Sequence, residues 1–222
     1  MRDIKAVIFD LSGTLYSNEQ LDEAYPRMLY TLLAEARGIS LDDAKKILSH
    51  KKKGLEAATG KHATKLSAME SLGFDRKAVH DAYCRIEPAD YLRKDVRLSE
   101  FLGWFGGRYK LGIITNLRSA QAIKTLRALG VDETIFQRII GEEDVANVKP
   151  SPEPFKKMLS LLSVPAGACM YVSDSVTKDL MPAKKLGFTT VLVGDPEIKP
   201  GQESSIDYRV KDVHELKKIL DI

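Results

Sequence analysis

The chain has 222 residues, 44% hydrophobic and 29% charged, ordinary proportions for a globular protein. That is length enough for one α/β domain with an insertion, or for two small domains. Its 34 basic and 31 acidic residues leave a formal net charge of +3, too balanced to argue for a nucleic acid or membrane partner. No apolar run reaches the roughly eighteen residues of a membrane span, and with Met1-Arg2-Asp3 leading straight into a strand no secretion signal is expected. Cys84 and Cys169 are the only cysteines, so a disulfide scaffold is not expected and a reducing cytoplasmic location fits. His50, His62, His80 and His214 show no metal-ligand spacing and are expected at the surface.

The first element is the segment Lys5–Tyr16. Ala6 to Phe9 is an unbroken apolar run, the pattern of a central parallel strand buried on both faces. Asp10 closes it, and Gly13 marks a sharp turn. A carboxylate thus stands at the carboxyl end of a strand, where open α/β sheets hold ligands. Aspartate also ends strands as a plain turn former.

Residues 16–94 carry no strand pattern and are expected to form an all-helical insertion. Leu21, Tyr25, Met28, Leu29, Leu32 and Ala36 recur at helical spacing up to Gly38, with Pro26 predicting a kink or a late start. Ser40-Leu41-Asp42-Asp43 resembles a capping box, opening a helix expected to stop at Gly54. A third helix is predicted over Thr64–Leu72. Asp75 caps a fourth, bearing Val79, Ala82, Tyr83 and Ile86, and Pro88–Asp95 is the return linker. The basic cluster of His50, Lys51, Lys52, Lys53, Lys61 and Lys65 suits either an anionic metabolite or a solvated helix end favoured by the helix dipole.

From Leu98 onward, helices and strands alternate. Leu98, Phe101, Leu102 and Phe105 mark a helix ended by Gly106-Gly107. Leu111–Asn116 reads as a strand, Ser119–Leu129 as a helix and Arg138–Gly141 as a short strand. A helix entered through Ser151-Pro152 carries Phe155, Met158, Leu159 and Leu162. Met170–Asp174 is a strand followed by a helix to Leu186. Thr189–Val193 and Asp207–Val210 are strands, and Asp212 caps a last helix with Val213, Leu216 and Leu220. Asp195–Ser205 is expected as a surface loop. The alternation predicts an α/β fold: a Rossmann-like parallel sheet in a three-layer αβα core over residues 1–15 and 95–222, with the helical insertion over 16–94.

Four polar positions fall at strand ends or in the turns beyond them: Asp10, Thr115-Asn116, Lys149, and Asp174 with Asp179. Singly, each has a plain reading as a turn, a solvated lysine or a helix cap. In a parallel sheet, however, the strand ends share one edge, so the four converge on one crevice.

Those residues, in that order, resemble the four motifs of the haloacid dehalogenase-like hydrolase superfamily. Asp10-Leu11-Ser12-Gly13-Thr14-Leu15 is similar to its Asp-x-Asp-Gly-Thr-Leu phosphatase motif; Thr115, Lys149 in Val148-Lys149-Pro150, and Asp174 with Asp179 follow. Ser173 replaces a usual glycine. The helical insertion after Thr14 is similar in place and length to the superfamily's cap, which there selects the substrate. The Asp10–Tyr16 opening and the segment Val79-His80-Asp81-Ala82-Tyr83 are most similar to pyrimidine 5′-nucleotidase-type and phosphoglycolate-phosphatase-type members. The resemblance implies an Mg²⁺-dependent phosphohydrolase acting on a small phosphorylated metabolite, with the chain a monomer or homodimer. Asp10 would be the nucleophile, Lys149 the charge balance, and Thr115 a holder of the transferring group. Thr14, Asn116 and Arg118 would lie against substrate, and Asp10, the Ser12 carbonyl, Asp174 and Asp179 would hold the metal.

One departure carries a consequence for the reaction. Ser12 stands where these phosphatases have the aspartate that protonates the leaving group and then activates water. A serine hydroxyl can do neither near neutrality, and such assistance is typically worth about 10²–10⁴-fold. A hydrolase weakened or specialised for good leaving groups, a non-catalytic phosphate- or partner-binding relative, a 2-haloacid dehalogenase-like enzyme and a phosphonate hydrolase all remain open at this stage.

Overall fold

The computed structural model describes residues 3–60 and 62–220. Its strands are β1 (Ala6–Phe9), β2 (Lys110–Ile114), β3 (Phe136–Ile140), β4 (Cys169–Ser173), β5 (Thr189–Val193) and β6 (Tyr208–Val210). They form one parallel sheet in the order β3-β2-β1-β4-β5-β6, flanked by helices. All residues of β1, β4 and β5 are buried, which is why these strands read as continuous apolar runs rather than alternating ones. The α/β class and the central place of β1 between β2 and β4 agree with the sequence pattern.

The chain divides into two compact units, Glu19–Tyr91 and the pair of segments Met1–Asn18 and Leu92–Ile222. The first of these holds α1 (Glu19–Arg37), α2 (Leu41–Thr59), α3 (Lys65–Ser71) and α4 (Arg76–Cys84). Leu29 and Leu33 of α1, Ala44 and Leu48 of α2, Met69 of α3 and Val79 of α4 close its core. Each of α2, α3 and α4 opens on a side chain that accepts a backbone N–H: Ser40 from Asp43, Thr64 from Ser67, and Asp75 from Ala78. The sheet unit adds α5 (Val96–Gly106), α6 (Ser119–Ala128), α7 (Glu153–Leu162), α8 (Met181–Lys185) and α9 (Leu216–Ile219). Ile8, Ile114, Phe155, Met158, Tyr171 and Phe188 meet in its core.

Several boundaries differ from the sequence reading. Helix α1 runs through Pro26 from Glu19, because Leu21 and Tyr25 before the proline and Leu29 and Leu33 after it belong to one buried stripe. Helix α2 continues past Gly54 to Thr59 and stops at Gly60, where φ is +64°, the left-handed cap that glycine favours. Lys51–Lys53 therefore sit inside a helix rather than at its end, with Lys52 3.5 Å from Glu56; Lys61 lies outside the described residues. At α7 the cap position falls on Pro152, and the Ser151 hydroxyl accepts from Glu153 N–H at 3.2 Å. The helix after β4 begins as a π-turn over Val176–Leu180, in which Leu180 N–H bonds Ser175 O. His214 is half-buried rather than fully exposed: its ring lies 5.1 Å from that of Phe101, and its Nε2 is buried.

Candidate active site

The candidate site lies wholly within the sheet unit, at the carboxyl edge of its central strands. Phe9 pairs with Ile113 on one side and Val172 on the other, so the next residues outward are Asp10, Ile114-Thr115 and Ser173-Asp174. Asp10 N–H donates to Val172 O at 2.9 Å, which extends the ladder by one bond past β1.

Lys149 arrives from the loop after β3 and is 2% exposed. Its ammonium donates to Asp10 Oδ1 at 2.7 Å, to Ile114 O at 3.0 Å and to the Tyr171 hydroxyl at 3.3 Å. Asp179 Oδ1 stands 2.6 Å from the same nitrogen. Burial works against the charged lysine, but Asp10 and Asp179 more than offset it and hold its pKa above the usual value. A buried cation is stable here only because anions surround it.

Two further contacts fix the loops. Asn116 Oδ1 accepts from Lys149 N–H at 3.1 Å, and Asn116 Nδ2 donates to Lys149 O at 3.0 Å. The side-chain amide thus imitates a strand partner for one residue of the Lys149 loop, whose Lys149–Pro150 peptide is cis. On the other side, Asp174 N–H donates to Thr14 Oγ1 at 3.2 Å. Gly13 has φ +78°, and a Cβ built there would stand 2.2 Å from Asp174 Oδ2. Only glycine lets the carboxylate lie against this turn.

The electrostatics are lopsided. Asp10 and Asp179 flank one buried ammonium, with Asp174 as a third carboxylate at the same sheet edge. Burial pushes the Asp10 carboxyl up to about 6; Lys149 opposes the rise and Asp179 adds to it. Burial also raises Asp174, with Asp179 as the second cause. Asp179 itself is 1% exposed and accepts from the Tyr171 hydroxyl at 3.0 Å.

The remaining expected residues fall as follows. Thr115 is buried, and its Oγ1 accepts from Leu117 N–H at 3.1 Å. Ser12 is half-buried and bridges to Tyr16. Arg118 precedes α6, with its Nε buried and making no hydrogen bond among the described residues. Ser173, in the place of the usual glycine, shapes the turn by accepting from Ser175 N–H at 3.0 Å. Tyr171 was not anticipated. The available signal was a phenol hydroxyl in the middle of a fully buried strand, since a buried tyrosine normally finds a polar partner. Among the described residues, no three His, Cys, Asp or Glu side chains are grouped as ligands of one metal ion.

The chain is similar to known proteins over most of its length. A family model described as haloacid dehalogenase-like hydrolase matches residues 4–187. The chain is 28% identical over 227 residues to the glyceraldehyde 3-phosphate phosphatase of Methanocaldococcus jannaschii, covering 98% of this chain and 97% of that one. It is 29% identical over 203 residues to the pyrophosphatase PpaX of Halalkalibacterium halodurans, covering 86% and 84%. Its fold is similar to the crystal structure of a haloacid dehalogenase-like phosphatase from Thermococcus onnurineus, with a TM-score of 0.69, 25% identity and 98% of each chain covered.

Proposed function

We propose, from the premise that this chain belongs to the haloacid dehalogenase-like hydrolase family, that it hydrolyses a small phosphorylated metabolite through an aspartyl-phosphate on Asp10. The observation that carries the reading is the 2.7 Å contact between the buried Lys149 ammonium and Asp10 Oδ1. A carboxylate meets a phosphate only if the charge between them is offset, and a fixed ammonium beside the nucleophile supplies part of that offset. With Lys149 on one oxygen of Asp10, the other oxygen attacks phosphorus and the leaving group departs on the far side. Thr115 and the backbone N–H groups of the strand-end turns hold the phosphoryl oxygens.

The donor set suits a hard divalent cation. Asp10 and Asp179 share one ammonium while Asp174 has no ion pair with it, and Asp10 and Asp174 are pushed upward, a surplus of negative charge that a cation would relieve. Mg²⁺ fits oxygen ligands of this kind; Asp10, Asp174 and the Ser12 carbonyl would hold it. Asp179 has Oδ1 committed to Lys149 and Tyr171, so only its other oxygen is left for a metal. When bound, such an ion would neutralise the phosphoryl oxygens.

Ser12 narrows the substrate. Without an acid at that place, the favoured substrates are those whose leaving group departs unprotonated: aryl and acyl phosphates, and phosphoanhydrides of the kind hydrolysed by a pyrophosphatase. Small phosphorylated compounds are also what both named relatives act on by name. The test is a panel of phosphorylated metabolites assayed with Mg²⁺ for wild type and Asp10→Asn. Phosphate release that vanishes in the variant is expected. Release of equal size from both proteins, or from neither, would sink the reading.

A further inference from the structure

The sequence sets two lysines side by side in α7 and again in α8. Lys157 stands 3.6 Å from Asp144, and Lys184 pairs with Asp207. Their neighbours Lys156 and Lys185 are exposed and make no ion pair among the described residues. Both line one groove of about 470 Å³ on the sheet unit, a size typical of small-molecule sites.

Most of the remaining wall is apolar, with Pro150, Pro152, Met181 and Leu186. The exception is the Thr177 hydroxyl. Its oxygen accepts from Gln202 Nε2 at 2.7 Å, and its own proton has no acceptor among the described residues. No acidic side chain among the described residues lines the groove. An ammonium donates and cannot accept, so the groove offers donors, positive charge and an apolar floor. None of these residues belongs to the candidate active site.

We propose that this groove binds a small organic anion with an apolar body, and that its occupant regulates the reaction at Asp10. The two ammoniums and the hydroxyl proton select an anionic head, and the prolines, Met181 and Leu186 select an apolar body. The regulatory half follows from where the wall comes from. Pro150 directly follows Lys149, and Thr177 and Met181 each stand two residues from Asp179. Lys149 and Asp179 are themselves 2.6 Å apart. An occupant held by both Lys156 and Lys185 ties α7 to α8, and with them these two segments. The groove exists in the arrangement that sets Lys149 2.7 Å from Asp10, so a ligand that fits it favours that arrangement. The kinetic consequence rests on the phosphohydrolase reading; the binding does not.

The probe is naphthoate, a fused apolar ring bearing one carboxylate. Naphthylmethanol lacks its charge, and acetate lacks its ring. Calorimetry should show one naphthoate site per chain, weakened by added salt, with either control at least about tenfold weaker. Lys156→Glu and Lys185→Glu should each weaken binding about fivefold, and the double variant should abolish it. Both positions are exposed, so the variants should melt as wild type does. The site is overturned if naphthoate fails to bind, binds all three variants as tightly as wild type, or binds no better than naphthylmethanol. A crystal structure that places naphthoate away from Lys156 and Lys185 overturns it as well.

Turnover tests the regulatory half. With Mg²⁺ and para-nitrophenyl phosphate, saturating naphthoate should raise kcat about fivefold and leave KM within about twofold. The rise should vanish in Lys185→Glu. An unchanged or lowered kcat, or a rise that persists in the variant, overturns the regulatory role. If wild type releases no phosphate at all, the hydrolase reading fails instead, and calorimetry and the crystal structure still decide the site.

Discussion

A Cβ added at Gly13 would stand 2.2 Å from Asp174 Oδ2, so the turn after β1 and the loop after β4 are built around the absence of one methyl group. The same turn holds Thr14, whose hydroxyl receives Asp174 N–H at 3.2 Å. Gly13→Ala should therefore act twice. The left-handed backbone, at φ +78°, becomes strained by about 1 kcal/mol, and the Asp174 carboxylate is forced away. Thermal melting should show a lower Tm, and turnover should fall by at least about tenfold, since misplacing a site group by roughly an ångström can cost 10²-fold. A variant with wild-type turnover would mean that Asp174 need not lie against the turn.

Asn116 and Lys149 offer a second test. The side-chain amide satisfies both backbone groups of Lys149, at 3.1 and 3.0 Å. From sequence Asn116 was expected against substrate; in the structure both ends of its amide serve the Lys149 loop. Asn116→Ala should leave a half-buried N–H and C=O unpaired and lower stability by about 1–3 kcal/mol. Steady-state kinetics separate the two roles. A latch predicts a lower kcat with KM nearly unchanged, whereas a substrate contact predicts a higher KM.

Away from the site, Asp207 ties β5 to the turn before β6. Burial alone would raise its carboxyl, but donation from Lys184 and from the Thr190 N–H and hydroxyl holds it below its usual value of 3.8. The Thr190 contacts are 2.9 and 3.0 Å. A carboxyl depressed in the folded state contributes stability above its unfolded pKa, and that contribution is lost as pH falls through the folded one. Asp207→Asn should accordingly lower Tm at pH 7, by the equivalent of about 1 kcal/mol. The gap between wild type and variant should close as melts are taken below about pH 4. A gap that persists undiminished at the acid end would assign the effect to packing instead.

Asp10, Thr115 and Asp174 were legible in the sequence because each follows an apolar run that only a doubly covered strand produces. That logic brings these three to one edge, whereas Lys149 lies in the loop after β3, whose middle is exposed, and no such run points to it. Tyr171 was hidden by the same logic. Within Met170-Tyr171-Val172 its ring supplies core volume, and pattern cannot show that its hydroxyl reaches Lys149. Asn116 was legible as a turn residue, but its partner lies 33 positions away, across a helix, a strand and a loop whose path the sequence does not display. Gly54 does not end α2, because a glycine interrupts a helix only weakly; Leu55 beyond it packs on the helical core and carries the helix on to Gly60.

Ser12 poses the sharpest test of the proposed chemistry. It is half-buried in the turn beside the nucleophile, at the place where the phosphatase motif that this turn resembles has its second aspartate. If Asp10 attacks unaided, the first step depends on how well the leaving group departs without a proton. Aryl and acyl phosphates should then react far faster than alkyl phosphates. The second step lacks its base too, so aspartyl-phosphate should accumulate and give a burst of released alcohol before steady state. Ser12→Asp returns the missing group and should raise alkyl-phosphate turnover by up to about 3–5 kcal/mol of barrier. A smaller gain would mean that another group already carries part of the proton transfer. Brisk, burst-free hydrolysis of alkyl phosphates by wild type, with no improvement in Ser12→Asp, would place the acid–base group elsewhere in the chain and remove Ser12 as the residue that restricts the substrate.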